Sequence, residues 1–457
     1  MKDLIVIGGG AGGVPAAIRA AQLGGNVAII ECANLGGLCM NRGCIPLGHM
    51  MVASSILGSL SLGKAMGLDV NVISKDYAAL IKRQNELIDF MRLGVKGTLK
   101  KNGVEIIEGR GKIAGKGKVE VNGKAISCKN ILLATGGKWL KPDFAGADLK
   151  EVINSDGLLH EKKLPGRVLL SGASPLIIEM AQFLHRYGSK VLLAVKDKNI
   201  LSNESKTITT RLRKTLKNEG IGIKTEADIV AAVKENDGLH VEFRSKEGPE
   251  TIVVDRVINM DRGASLSGFG LKSIGLDEER QYLEVNERME TGVEGVYAIG
   301  DITGPQSRHY SHHASEGGII AAENAMGKEA AINPRTFTRI HFTQPQVACV
   351  GLTPREAKKA GHDVVVGAAP FSMNPFGMII AENEGIVEVV AEKKYGELLG
   401  VHFIGRDASD MAGQAVLAIQ MEATLEDLSR ISFPHPTLSE SLAEAARDAL
   451  GIPIYLP

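Results

Sequence analysis

Two cysteines near the N-terminus, Cys39 and Cys44, are the residues whose spacing most directly suggests chemistry. Four residues separate them within the run Gly36–Pro46, so both thiols can come within disulfide range where a helix begins. Such a pair could exchange electrons with a thiol or disulfide substrate. Two buried structural thiols, or half of a metal site, would show the same spacing, although no further Cys or His follows closely at ligand spacing. The spacing alone leaves these alternatives open.

A glycine-rich turn precedes the cysteine pair. Gly8, Gly10 and Gly13 form G-x-G-x-x-G directly after the apolar run Leu4–Ile7 and at the start of an apolar-periodic helix. Glycines at these positions allow a tight turn, close approach of the backbone to a pyrophosphate, and packing of the helix on the strand. Glu31 ends the next strand, about 20 residues on, where a carboxylate can bind ribose hydroxyls. The pattern predicts a dinucleotide site.

The elements that must position these residues indicate an α/β fold. A second β-α-β unit repeats the rhythm of the first, with the strand Val168–Leu170, a turn at Gly172, the helix Leu176–Arg186 and the strand Lys190–Val195. The chain from about Pro334 onward mixes strands and helices. We therefore expect two Rossmann-like dinucleotide-binding units followed by a C-terminal α+β region.

Length, charge and cysteine usage limit the classes of protein to which the chain can belong. A chain of 457 residues is too long for one hydrophobic core. The formal net charge of zero gives no indication of binding to nucleic acid or to an anionic membrane. The N-terminus lacks the features of a signal peptide, and no stretch of about 18 uninterrupted apolar residues indicates a membrane span. Five cysteines do not make a disulfide scaffold, so we expect a cytoplasmic protein.

A resemblance to a known family gives these patterns a common explanation. The run Gly36–Pro46 resembles the G-G-T-C-x-N-x-G-C-I-P signature of the pyridine nucleotide-disulfide oxidoreductases, and most closely that of the dihydrolipoamide dehydrogenases. The likeness covers essentially the whole chain, with further matches at the N-terminal glycine motif, Ala134–Gly136, Tyr297–Asp301 and His435–Glu440. It implies FAD as cofactor and a lipoyl-type or other dithiol/disulfide substrate, free or on a carrier protein.

The resemblance also implies a domain division and roles for individual residues. Residues 1–145 and 270–335 would form an FAD-binding domain, 146–269 an NAD(P)-type domain, and 336–457 a dimerisation domain. Cys39 would be the interchange thiol that attacks the substrate disulfide, and Cys44 would be the charge-transfer thiolate beside the flavin. Asp301 would bind the ribityl chain. The residues expected to hold FAD are Gly8, Gly10, Gly13, Glu31, Gly37, Gly111, Thr135, Gly136, Arg262, Gly300, Asp301 and Ala314.

His435 and Glu440 resemble the catalytic His–Glu pair of this family. Thiol–disulfide exchange needs a thiolate, and an imidazole with a pKa near neutral can take the proton. A carboxylate then fixes the tautomer and stabilises the imidazolium. In the family this histidine reaches the cysteines of the other subunit, so the resemblance implies that the active unit is a homodimer.

The second glycine turn departs from the family pattern. Gly172 is kept, but Ser174 and Ile177 occupy the second and third glycine positions. Ser174 places a side chain where backbone should meet a pyrophosphate, and Ile177 crowds the helix against the strand. We expect Ser174 to cap this helix and Pro175 to suit its first turn. The helix is therefore expected to survive while the dinucleotide-binding turn does not.

Three further departures agree with the first, and the family resemblance places them together on one face of the flavin. The strand that should end in a ribose-binding Glu ends in Val195, followed by Lys196. The family's G-R-x-P-N turn reads Asp261–Ser265. Gly48 replaces the lysine that normally pairs with a glutamate beside the flavin, which would leave Glu179 without that partner.

We therefore hypothesise that the cysteine–histidine half works while NAD(P) binding is weak or lost, and that another redox protein accepts the electrons. An unusual NAD(P) mode, an NAD(P)H-dependent reductase of another small disulfide, and a flavin electron-transfer subunit of a larger complex are the alternatives.

The other candidate residues have simpler interpretations. His309, His312 and His313 could form a metal site, but polar surface residues at the start of a helix explain them better, and we expect no metal. Cys32, Cys128 and Cys349 are isolated in sequence and are expected to be packing residues.

Overall fold

The computed structural model describes residues 1–172, 174–305 and 309–457. The strands are β1 Lys2–Ile7, β2 Val27–Glu31, β3 Glu105–Glu108, β4 Lys112–Gly115, β5 Lys118–Val121, β6 Lys124–Leu133, β7 Gly137–Trp139, β8 Val152–Ile153, β9 Arg167–Ser171, β10 Lys190–Val195, β11 Gly222–Thr225, β12 Asp228–Glu235, β13 Gly238–Ser245, β14 Gly248–Val254, β15 Arg256–Asn259, β16 Arg262–Ala264, β17 Val296–Ala298, β18 Thr338–His341, β19 Gln346–Gly351, β20 Val364–Pro370, β21 Ile386–Glu392 and β22 Leu398–Gly405.

The helices connect and cover these strands. They are α1 Gly13–Gln22, α2 Gly37–Arg42, α3 Cys44–Gly58, α4 Leu60–Ala65, α5 Tyr77–Lys101, α6 Ser155–His160, α7 Leu176–Tyr187, α8 Lys206–Glu219, α9 Ser311–Ala325, α10 Pro354–Lys359, α11 Pro375–Ile379, α12 Ala408–Gln420, α13 Leu425–Arg430 and α14 Glu440–Ala449.

The first sheet is a parallel unit with an antiparallel extension. Its strand order is β3-β2-β1-β6-β5-β4, and β17 pairs with the far side of β6. Strand β1 is almost wholly buried because it lies between β2 and β6 and is covered by α1. The small residues Ala16, Ala17 and Ala20 allow α1 to pack closely. The carboxyl ends of β1, β6 and β17 therefore meet at one edge, where ligands bind in such sheets.

The second sheet repeats this arrangement on a smaller scale. Its order is β11-β10-β9-β15-β8, all parallel, and the three-stranded antiparallel sheet β12-β13-β14 packs beside it. Helix α7 lies between this sheet and α3, which carries Cys44 at its first position. Five consecutive residues of α7, Ile177–Ala181, are buried. The second unit thus forms one wall of the region around the cysteines.

The C-terminal sheet is antiparallel, with the order β18-β19-β22-β21-β20. Helices α12 and α14 pack on it and bury an aliphatic core around Phe371 and Phe403. A second core continues from the second sheet into this one through Val347, Cys349 and Ile404. The third unit is therefore packed against the second rather than tethered to it.

One apolar run, Gly37–Ala65, is long enough to cross a membrane and has a mean hydropathy of 1.4. It reaches that length only when α2, α3 and α4 are counted together, and Gly43 interrupts the helical structure between the first two. Because the same run positions Cys39 and Cys44 at a cavity, it is weak evidence for a membrane span.

Candidate active site

A cavity of about 820 Å³ opens at the carboxyl edge of the first sheet. It is lined by both cysteines of the predicted redox pair and by eleven of the twelve residues predicted to hold the cofactor, which are Gly8, Gly10, Glu31, Gly37, Gly111, Thr135, Gly136, Arg262, Gly300, Asp301 and Ala314. The structure therefore brings together residues from five separated parts of the sequence. His435 and Glu440 are not among the lining residues.

The first glycine turn leaves no room for side chains. A Cβ on Gly8 would lie 2.2 Å from Ala134 O, and one on Gly13 would lie 1.9 Å from Gly8 O. Gly13 thus packs the helix on the strand and does not line the cavity. Gly12, which the sequence analysis did not name, lies against the Ala314 carbonyl, where a Cβ would be 2.6 Å from the oxygen. The residues that lead into α1, Gly10, Ala11 and Gly12, therefore line the cavity at the N-terminus of the helix.

The cavity fits an extended dinucleotide such as FAD. Glu31 stands at the end of β2, where its Oε2 accepts a hydrogen bond from Gly9 N at 2.7 Å. Gly37 and Gly10 approach each other so closely that a Cβ on Gly37 would lie 2.7 Å from Gly10 Cα. Asp301 lies in a short 3₁₀ helix after β17 and is bound by Arg262 Nη1 at 3.1 Å. The lining thus offers a glycine cradle at one end and charged groups at the other.

The two cysteines lie on consecutive helices. Gly43 separates Cys39, in α2, from Cys44, the first residue of α3. Both thiols are free in this structure. A hydrogen bond from the Cys39 thiol is the main cause that lowers the pKa of Cys44 to about 6. The same contact raises the pKa of Cys39 well above its usual range, and burial adds to the effect. The pair therefore holds one proton on Cys39 and a thiolate on Cys44.

Ser311 is a site residue that the sequence analysis missed. Its Oγ lies 3.2 Å from Cys44 Sγ and adds to the lowering of the Cys44 pKa, as does the charge of Arg262. Ser311 begins helix α9, and Ala314 lies three residues later in the same helix. Because residues at this spacing share a helix face, the predicted role of Ala314 could have pointed to Ser311.

Glu179 is buried on α7 behind the cysteines. Its Oε1 accepts a hydrogen bond from Phe342 N at 3.0 Å. Burial is the main cause that raises the pKa of Glu179 to about 8, and the negative charge of Cys44 contributes. A Cβ on Gly48 would have no neighbour within 4 Å, so the structure has room at the position where the family carries a lysine. Glu179 thus has a backbone partner in place of a cation.

His435 and Glu440 form a pair at the other end of the chain. His435 Nδ1 lies 2.9 Å from Glu440 Oε1, and Glu440 Oε2 accepts a hydrogen bond from Thr437 N at 2.9 Å. The His435 side chain is 65% exposed. The carboxylate therefore orients the imidazole from Nδ1, and the pair lies outside the lining of the cavity that holds the cysteines of the same chain.

The described residues of the second glycine turn depart from a dinucleotide-binding pattern. Ser174 and Ile177 occupy its second and third glycine positions and are buried, and Val195 ends the strand where a ribose-binding carboxylate would stand. Lys196 is paired with Asp228 at 2.9 Å. Pro175, not the expected Ser174, precedes the first residue of α7. These residues therefore lack the glycines and the carboxylate that the first turn offers to a dinucleotide.

The histidine cluster makes hydrogen bonds to backbone. His309 Nε2 lies 3.0 Å from Gly304 O, and the Nε2 atoms of His312 and His313 both lie near Thr338 O. His309 is buried and lines the cavity, so the expectation of a surface residue was wrong for it. The expectation for Cys32 was wrong, because Cys32 is exposed and lines the cavity rather than packing in the core, whereas Cys128 and Cys349 are buried.

Comparison with known families and proteins agrees with this geometry. Residues 2–326 match the family "pyridine nucleotide-disulphide oxidoreductase", and residues 337–446 match its dimerisation domain. A dihydrolipoyl dehydrogenase from Thermus scotoductus (strain ATCC 700910 / SA-01) is 38% identical over 97% of this chain and 96% of its own length. The dihydrolipoyl dehydrogenase of Bacillus subtilis (strain 168) is 31% identical over 99% of both chains. A leghemoglobin reductase from Vigna unguiculata is 31% identical over 97% of this chain and 87% of its own.

A solved structure shows the same fold. LpdA from Mycobacterium tuberculosis superposes with a TM-score of 0.88 over 97% of this chain and 99% of its own, at 23% sequence identity.

Proposed function

Because the chain belongs to the pyridine nucleotide-disulphide oxidoreductases, flavoproteins that bind FAD, we propose that it oxidises a lipoyl-type dithiol and passes the electrons to an acceptor other than NAD(P). The relatives named dihydrolipoyl dehydrogenase support the substrate. The second glycine turn supports the unusual acceptor, since its residues do not fit a dinucleotide.

The different protonation states of the two cysteines are the observation that supports this proposal most strongly. In the oxidised enzyme a thiolate of the substrate attacks Cys39 Sγ, the Cys39–Cys44 bond breaks, and Cys44 leaves as a thiolate. Its low pKa makes Cys44 the better leaving group. The second substrate sulfur then attacks the first, closing the substrate disulfide and releasing Cys39. The enzyme gains two electrons, and bound FAD supplies the group that takes up the electron pair.

The partner subunit's His435 would handle the protons of these steps. Cys39 has a raised pKa and therefore needs a base, whereas Cys44 is already a thiolate. Within one chain His435 does not line the cavity, and the dimerisation domain supports a homodimer. Large exposed apolar residues are consistent with such an interface, and they lie on α12, directly after it and in the C-terminal segment: Leu417, Met421, Ile454 and Tyr455. Glu440 orients His435 from the same chain.

The division of labour follows the predicted domains. Residues 1–145 and 270–335 would hold FAD, 146–269 would form the NAD(P)-type unit, and 336–457 would dimerise and supply His435. The substrate would be free or attached to a carrier protein in the cytoplasm, and a redox protein would take the electrons. A flavin electron-transfer subunit of a larger complex is the second candidate, favoured by the same misfit of the second turn. A relative named leghemoglobin reductase is named for a protein acceptor.

Anaerobic single-turnover experiments test the proposal. FAD-loaded protein mixed with dihydrolipoamide should rapidly gain the long-wavelength absorbance of the two-electron-reduced enzyme or lose its flavin absorption, whereas steady-state NAD⁺ reduction under the same conditions should be negligible. Failure of the dithiol to cause either change would reject the substrate. Sustained NAD⁺ reduction would reject the acceptor and leave the dithiol half intact.

A further inference from the structure

We infer that Asp261 acts as a built-in substitute for a cofactor phosphate at the N-terminus of α7 and so closes the second dinucleotide site. The inference deepens the proposed function, because it rests on the claim that the acceptor is not a free nicotinamide nucleotide. It assigns that loss to a single carboxylate in addition to the altered glycine positions.

The two β-α-β units can be superimposed through their strand registers. In the first, Ile7 at the end of β1 pairs with Leu133 on β6. In the second, Ser171 at the end of β9 pairs with Asn259 on β15. The residue two positions after the paired one is therefore Thr135 in the first unit and Asp261 in the second. The two residues occupy the same topological position, beside the glycine turn.

Their side chains make different contacts. Thr135 Oγ1 donates a hydrogen bond to Ser265 O at 2.8 Å and stays clear of the first glycine turn. Asp261 Oδ1 instead accepts a hydrogen bond from Ser174 N at 2.9 Å. The carboxylate packs directly on Gly172, where a Cβ would lie 2.8 Å from each of its oxygens. Asn259 Nδ2 lies 3.4 Å from Oδ2 and holds the carboxylate in this orientation.

The contacts of Asp261 are those that a pyrophosphate would make. A phosphate at such a turn binds backbone N–H groups at the start of the helix and is favoured by the helix dipole. Asp261 already places an anion on the Ser174 amide, and the Ser174 hydroxyl lies 3.4 Å from Leu176 N. A dinucleotide would have to displace the carboxylate or lie beside a like charge. The Ser174 amide at the start of α7 is therefore already bound to an anion of its own chain, as it would be to a phosphate.

Binding measurements on FAD-loaded protein test this assignment, because FAD fills the first site. ADP and NAD⁺ are titrated by calorimetry into wild type, Asp261→Gly and Asp261→Asn. The control is Asp255→Asn, which changes a carboxylate that binds Arg167 N at 2.8 Å at the opposite end of β9. We expect wild type and the control to bind ADP more weakly than about 1 mM, and Asp261→Gly to bind it at least about tenfold more tightly. Asp261→Asn keeps the shape and loses the charge, so it should show a smaller gain and serves if the glycine variant does not fold.

Each result has a separate meaning. Equal ADP affinity in wild type, Asp261→Gly and Asp261→Asn would overturn the role of the carboxylate while leaving the proposed acceptor untouched. Tight NAD⁺ binding by wild type would overturn closure of the site altogether. Reduction of the wild-type flavin by dihydrolipoamide, measured in the same preparation, reports on the dithiol half of the proposed function independently of both.

Discussion

Ser311 Oγ lies 3.2 Å from Cys44 Sγ, across 267 residues of sequence. The contact joins the first turn of α9 to the first residue of α3, so a hydroxyl stands beside the thiol whose pKa is lowered to about 6. A hydroxyl that donates to a thiolate stabilises the charged form. The redox pair is thus tuned by a residue outside the cysteine motif.

Removing that hydroxyl should raise the pKa of Cys44. In Ser311→Ala the titration midpoint of the thiolate, followed at the long-wavelength absorbance of the two-electron-reduced enzyme, should move upward by roughly one unit, since a hydrogen bond to a charged group contributes about 1.5 kcal/mol. As the pH is lowered, the thiolate would then be protonated at a higher pH than in wild type. Ser55→Ala removes a hydroxyl that bonds Val52 O on α3, and it should leave the midpoint in place. An unchanged midpoint in Ser311→Ala would contradict the contact.

The cysteine relay predicts that two serine substitutions both slow flavin reduction but differ in their effect on the long-wavelength absorbance. Cys44→Ser removes the leaving thiolate, and Cys39→Ser removes the sulfur that the substrate meets, so flavin reduction by a dithiol should fall by at least about a hundredfold in both. Only Cys39→Ser keeps the thiolate beside the cofactor and should retain long-wavelength absorbance at neutral pH. Cys128→Ser, at a buried thiol outside the cavity, is the control. Dithiol reduction at an undiminished rate in Cys44→Ser would reject the relay.

Mixed dimers test whether His435 acts across the interface. His435→Gln alone should lower dithiol–disulfide turnover by about 10²–10⁴-fold, the usual range for a general base. A random mixture of His435→Gln and Cys39→Ser chains should recover about a quarter of wild-type activity, because half of the dimers then contain one intact site. If His435 acted on its own chain, the mixture would recover none. Glu440→Gln should show a smaller loss, since it affects only the orientation of His435.

The buried carboxyl of Glu179 should make stability depend on pH. Its pKa is raised from 4.5 to about 8 in the folded chain, so the folded state holds a proton that the unfolded state has lost between these values. Stability associated with this group is therefore fully present below about pH 4.5 and is lost as pH rises through 8. Glu179→Gln cannot titrate, so its Tm relative to wild type should rise from pH 5 to pH 8. A constant difference in Tm across that range would show that Glu179 does not titrate there.

The local parts of the site could be predicted from sequence. The first glycine turn and the position of Glu31 at the end of β2 belong to one β-α-β unit, and the two cysteines follow it within a few residues. Contacts within such a unit follow from residue spacing because neighbouring elements pack directly on each other. The same holds for His435 and Glu440, which lie five residues apart.

Contacts between distant segments could not be predicted in this way. Asp261 Oδ1 accepts a hydrogen bond from Ser174 N across 87 residues. Ser174 was expected to cap α7, but the cap position belongs to Pro175, one residue later. Cys32 was expected to pack in the core because it is isolated in sequence. It lies instead just after β2, at the cavity edge, where the end of the strand exposes it.

The central claim is that the dithiol half is active while the nicotinamide half is closed, and mixing experiments test it most directly. Oxidised FAD-loaded wild type is mixed anaerobically with NADH, then NADPH, then dihydrolipoamide, while the flavin absorption band is recorded. The account predicts no change with either nucleotide, and prompt bleaching or prompt long-wavelength absorbance with the dithiol. Fast bleaching or long-wavelength absorbance on addition of NADH or NADPH would contradict it and show that the site works despite Ser174, Ile177 and Asp261.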